Sequence, residues 1–167
     1  MKKIFLAFIF LFTIHGISHA QADSSAPYRK DPNLPYFKIL QGDSTWFSKY
    51  DIPKNKYVVM IYFSPDCSHC QHTAEAFADS MNLFKNTFFV WVSFHTPPQI
   101  KTFAHQYKLD QFDNVRLGRD TSYYIPSFFQ VRFTPFMAVY NPQGKLVQAF
   151  EGGEKPSTIA KYSEAKF

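Results

Sequence analysis

The sequence predicts a mixed α/β fold, a single central sheet with helices on both faces. Three observations carry that reading. Two apolar, β-rich runs, YVVMIYF at residues 57–63 and FFVWVSF at 88–94, flank a segment with helical periodicity. Near the end, FMAVY (136–140) and KLVQAF (145–150) are joined by the turn Asn141-Pro142-Gln143-Gly144, which makes a hairpin. Strand–helix–strand alternation followed by a hairpin gives a sheet that is parallel in one half and antiparallel in the other.

The elements follow in order. Lys2 and Lys3 precede an almost wholly apolar stretch, residues 4–14, and small residues ending at Ala20 and Ala22. This is the pattern of a secretory signal at residues 1–20, cleaved after 20 or 22. An uncleaved membrane anchor is the alternative, although the apolar run is shorter than the roughly 20 residues a span needs. The signal region has no cysteine for lipid attachment. Residues 21–34 are polar and carry prolines, which predicts a flexible leader. The domain is then expected over residues 35–167. Residues 36–40 and 45–47 read as short strands around Gln41-Gly42-Asp43-Ser44, and 53–56 as a turn.

The run at 57–63 suits a central strand covered on both faces. Ser64-Pro65-Asp66 breaks it, and from Cys67 the residues Ala74, Phe77, Ala78, Met81 and Phe84 keep helical spacing, to an end near Asn86. After the strand at 88–94, Pro97 or Pro98 opens a helix over 100–109. Residues 115–117 form a short strand, and 123–131 hold a short helix after Pro126. Gly152-Gly153 ends the hairpin, and residues 156–166 form the last helix.

Composition narrows the function. The chain has 167 residues, 20 Phe and 10 Tyr. Phe63, Phe77, Phe84, Phe88, Phe89 and Phe136 fall in apolar segments and are assigned to the core, as are Trp46 and Trp91. Rings near the cysteines form the alternative, a docking surface. Of the net charge of +5, Lys2 and Lys3 lie in the segment to be removed, which leaves +3. The basic residues are scattered, so nucleic-acid binding is not expected. Arg116, Arg119 and Arg132 read as solubility or local pairing.

Cys67 and Cys70 are the only cysteines, and they form C-S-H-C where the strand gives way to the helix. Such a pair points to thiol–disulfide exchange. A helix N-terminus offers free N–H groups and partial positive charge, both of which favour a thiolate on Cys67. His69, as imidazolium, would lower the Cys67 pKa further, and Asp66 would oppose it if it faced the sulfur. Cys67 is then the attacking group and Cys70 the resolving one.

An inert disulfide closes too short a loop to stabilise much. Zinc would need two further ligands from His69, His72, His95 and His105, and His95 and His105 lack the usual H-x3–5-H spacing; no metal and no cofactor is expected. Ser64, three residues before Cys67, allows a thiol peroxidase reading, incomplete because Met60 stands where a peroxiredoxin has proline. A binding or chaperone module is the non-enzymatic reading, and its client binding would survive loss of both cysteines. His72 and Glu75 read as solvated helix residues.

With Thr134-Pro135 before FMAVY, then N-P-Q-G and KLVQAFEGG, this arrangement resembles the thioredoxin fold. More narrowly, it is similar to exported thioredoxin-like proteins of the TlpA/ResA type. The resemblance covers residues 34–166. It implies an N-terminal hairpin in LPYFKILQGDSTWF and a central strand–helix insertion between Cys70 and Pro135. It also implies a cis Pro135 beside the cysteines, with Thr134 and Pro135 offering backbone groups to substrate. Three positions depart from the family. Asp66 replaces the common Trp, Ile61 the buried carboxylate, and Thr73 the acidic residue after the second cysteine.

The expected activity is that of a periplasmic or secreted oxidoreductase. Its expected partners are exported protein thiols or disulfides and a separate membrane or periplasmic electron carrier, and it is expected to act as a monomer. His69 at the third motif position is shared with oxidising DsbA-type proteins, while the overall resemblance, Thr134 included, favours a reductase.

Overall fold

The computed structural model describes residues 26–164. The predicted signal segment, its cleavage sites, the start of the leader and residues 165 and 166 of the predicted last helix lie outside the described residues.

The expected α/β architecture is present as one seven-stranded mixed sheet of order β2-β1-β5-β4-β3-β6-β7. At its centre β3 (Tyr57–Tyr62) runs parallel to β4 (Thr87–Ser93), and both are buried at every position. That burial is why neither sequence alternates. β5 (Val115–Arg119) lies parallel to β4 on one side. β6 (Phe136–Tyr140) and β7 (Leu146–Phe150) form the antiparallel half on the other. The N-terminal hairpin, β1 (Lys38–Leu40) with β2 (Trp46–Ser48), joins the far edge through Leu40 opposite Arg119.

Helices cover both faces. On one face α1 (Pro27–Lys30) and α4 (Tyr124–Phe129) bury Tyr28, Ile125 and Phe129 against Met60, Tyr62, Val90 and Phe136. On the other, α2 (Ser68–Asp79), α3 (Pro97–Gln106) and α5 (Pro156–Ser163) bury Cys70, Phe77, Phe103 and Ile159 over Ile61, Phe89 and Trp91. The alternating side chains of one strand thus feed two separate apolar layers.

Several boundaries differ from expectation for local reasons. The helix after Cys67 stops at Asp79 rather than near Asn86, because Ser80 leaves helical geometry and a 3-10 turn spans Met81–Leu83. Met81 and Phe84 stay buried on the same side, so the apolar spacing outlasts the helix. α3 begins at Pro97, where Thr96 and Gln99 form a capping box, and it ends earlier than predicted, at Gln106. Pro126 lies inside the first turn of α4, where its missing N–H costs nothing.

Two expectations are corrected. Residues 26–34, read as flexible leader, are packed: the Tyr28 ring lies 5.5 Å from that of Phe129 and 6.1 Å from that of Phe136. The segment also hydrogen-bonds the β6–β7 turn region, Leu34 N–H to Gly144 O and Leu146 N–H to Pro32 O, both at 2.7 Å. Trp46, assigned to the core, is 46% exposed on the three-residue edge strand β2, with Lys38 Nζ 4.2 Å above its ring. Phe47 takes the inward position instead. Among the described residues, no helix is long and apolar enough to cross a membrane.

Candidate active site

Parallel strands deliver their following loops to one edge of the sheet, and the site is assembled there. β3 ends at Tyr62, the turn at Ser64–Asp66 reverses direction, and Cys67 becomes the N-cap of α2. Cys67 fills a place usually held by an oxygen side chain, its Sγ accepting the Cys70 N–H at 3.3 Å. The sulfur therefore sits at the positive end of a twelve-residue helix.

Thr134 reaches the same sulfur from the loop before β6. Its Oγ1 and its carbonyl oxygen both lie 3.6 Å from Cys67 Sγ, one able to donate to a thiolate and the other to accept from a thiol. The Thr134–Pro135 peptide is cis and Pro135 is buried. β6 pairs with β3, so residues far apart in sequence meet at one sulfur.

The two thiols occupy contrasting environments. Cys67 is half-buried and Cys70 is fully buried, and both are free thiols. Burial pushes Cys67 up, but hydrogen bonds from the Cys70 and Thr134 side chains and from the Cys70 and His69 N–H groups outweigh it. The net effect holds Cys67 below the ordinary thiol value. Burial, together with the bond to Cys67, pushes Cys70 up to about 12. It belongs to the apolar cluster that holds Ile61, Ala74, Phe77 and Trp91.

The remaining predicted groups are distributed as follows. His69 is exposed and reaches Cys67 through its backbone N–H. His72 and Glu75 are exposed on α2. Asp66 pairs with His95, Oδ2 to Nε2 at 3.2 Å. His105 pairs with Asp110 at 3.1 Å. Among the described residues, no three or more His, Cys, Asp or Glu side chains gather as a metal site.

Sequence reasoning missed two neighbours. Gly153 follows β7 with φ +90, and a Cβ there would stand 2.9 Å from Pro135 Cγ, so the loop backbone presses directly on that proline. His95 ends the loop entry after β4. Parallel pairing of the two central strands could have found it, since the loop after each must meet the other.

A family model described as a thioredoxin-like domain matches residues 49–166. No curated protein matches the chain. Among solved structures, the thioredoxin domain of a thiol-disulfide oxidoreductase from Bacteroides vulgatus superimposes with TM-score 0.64 at 20% identity, covering 78% of this chain and 95% of that one. A secreted Mycobacterium tuberculosis disulfide oxidoreductase homologous to E. coli DsbE gives 0.63 at 15% identity, covering 75% and 92%. A peroxiredoxin-like protein from Aquifex aeolicus gives 0.63 at 16%, covering 77% and 82%. At these identities the likeness is one of fold.

Proposed function

The chain belongs to the thioredoxin-like domain family, and from that premise we propose that it is an exported thiol–disulfide oxidoreductase working in the reducing direction through Cys67 and Cys70. The observation that carries the exchange reading is the contrast between the thiols, an acidified Cys67 at the rim and a buried Cys70 held at about 12, while the reducing direction rests on the overall resemblance, Thr134 included. The lowering enlarges the thiolate share of Cys67, and Cys70 keeps its proton until a disulfide forms beside it.

The cycle balances. The Cys67 thiolate attacks one sulfur of a client disulfide; a Cys67–client bond forms and the other client sulfur leaves. Cys70 attacks Cys67 Sγ as its proton passes to the departing client sulfur, forming the Cys67–Cys70 disulfide and releasing the second client sulfur as a thiol. Two electrons pass to the client. A separate dithiol carrier, at the membrane or in the periplasm, returns them. Thr134 and Pro135 receive the client's extended backbone beside Cys67, and the protein acts as a monomer on exported proteins.

The deciding experiment is the equilibrium reduction potential of the purified protein against glutathione buffers. A value near about −270 mV, as in thioredoxin, supports the reductase. A value near about −120 mV, as in DsbA, makes it an oxidant and overturns the direction. The peroxidase reading needs only Cys67 for its first step, so peroxide consumption that survives Cys70→Ser would favour it over exchange.

A further inference from the structure

The departure at Asp66 leaves a carboxylate next to the attacking cysteine, where a negative charge disfavours the thiolate. The structure gives that carboxylate a tether. His95, whose side chain is only 11% exposed, bonds Asp66 Oδ2 through Nε2 at 3.2 Å. Its Nδ1 lies 3.2 Å from Ser93 Oγ, and the His95 backbone N–H donates to the same oxygen at 3.3 Å. Ser93 is fully buried at the end of β4, so the chain of bonds starts from the rigid centre of the sheet. The Phe94 ring packs 4.2 Å from the imidazole and closes its other side. None of the hydrogen bonds to Cys67 Sγ comes from Asp66; they come from Cys70, Thr134 and the His69 N–H. No other ion pair reaches Asp66 among the described residues.

We infer that Ser93 and His95 are positioning residues that hold the Asp66 carboxylate toward the β4–α3 loop and off the Cys67 sulfur. This rests on the exchange reading of the site and adds to it a control on the attacking group. An imidazole fixed at both nitrogens holds one orientation, and a carboxylate bonded to it loses the freedom to swing over the adjacent residue. Asp66 is 79% exposed, so the untethered charge would act through a largely aqueous medium and its effect would be modest.

The test is the pH titration of the Cys67 thiolate by ultraviolet absorbance in the reduced protein. Cys70 does not interfere, being held at about 12. His95→Ala is expected to raise the midpoint by about half a pH unit, a roughly threefold loss of thiolate on the acid side. His95→Gln, which can still donate to Asp66, is expected to restore most of the loss. In an Asp66→Asn background, His95→Ala should move nothing. Should His95→Ala fail to fold, Ser93→Ala carries the same comparison, with a smaller rise that again vanishes in the Asn background.

A rise of equal size with and without the Asp66 charge would make His95 a packing residue and overturn the inference. No rise at all would do the same. A native midpoint at the ordinary thiol value in every variant would instead overturn the exchange reading beneath it.

Discussion

A half-buried sulfur becomes a stable anion only when donors replace the water it has lost, and at Cys67 one of those donors is a single hydroxyl, Thr134 Oγ1. Thr134→Val keeps the shape and deletes the donor. Alkylation of Cys67 by iodoacetamide is expected to slow at neutral pH, with its midpoint moved upward. The same balance sets the pH dependence of stability in the reduced protein. Cys67 is lowered on folding, so its contribution is present above the unfolded thiol value and is lost as pH falls through the folded value. Cys70 runs the other way: its contribution is complete below the unfolded value and is lost as pH climbs toward about 12. Urea titrations should therefore show the native protein gaining on Cys67→Ala as the pH is raised from acidic to mildly alkaline. Gly153→Val is the steric counterpart. It combines a left-handed backbone with a Cβ 2.9 Å from Pro135 Cγ. The expected cost is about 2 kcal/mol in urea denaturation, with slower disulfide reduction because Pro135 is displaced.

At the level of the element, α2 presents Cys67 correctly only while it stays docked on the sheet. Phe77 is its buried aromatic anchor, its ring lying 5.6 Å from Phe84, 5.5 Å from Phe89 and 6.2 Å from Trp91. Phe77→Ala should cost about 3–5 kcal/mol in chemical denaturation, through lost burial and the cavity left behind. The N-terminal hairpin is held more lightly. It meets the rest of the sheet at β5, where a Cβ on Gly118 would come within 2.9 Å of Ile39. Gly118→Val is expected to undock β1 and β2 while sparing the centre. Hydrogen exchange would then show lost amide protection at residues 38–48 with β3 and β4 still protected, whereas uniform loss would refute this independence.

Across the whole molecule, residues 26–34 close one face of the fold. Tyr28 and Leu34 are buried there, and Asn33 bridges to Lys145. Tyr28→Ala should lower stability by about 3 kcal/mol in urea denaturation, an outcome a flexible leader would not give. How much was legible in the sequence follows from the kind of signal each part carries. The central strands and the closing hairpin were readable because burial on both faces and a strong turn leave unbroken apolar runs and an N-P-Q-G mark. The cysteine pair stands out by its place between strand and helix, and the placing of Thr134 and Pro135 beside it came through the family resemblance. Residues 26–34 were not legible, because three buried side chains, Ala26, Tyr28 and Leu34, in a polar, proline-bearing stretch make no periodic pattern. Trp46 was not, because a three-residue edge strand gives too little alternation to tell its faces apart. The Asp66–His95 pair needed the parallel register of β3 and β4, which is a property of the sheet and not of either local segment.

The depth difference between the two sulfurs also sets a clock. In the proposed cycle a client can be captured only at the rim, and it is freed by a group already waiting on the same helical turn. That second event is intramolecular, so its rate is set by this chain and not by how many thiols surround it. The dwell time of a captured client thereby becomes a property of the protein, and what lengthens it is whatever keeps the deep sulfur protonated.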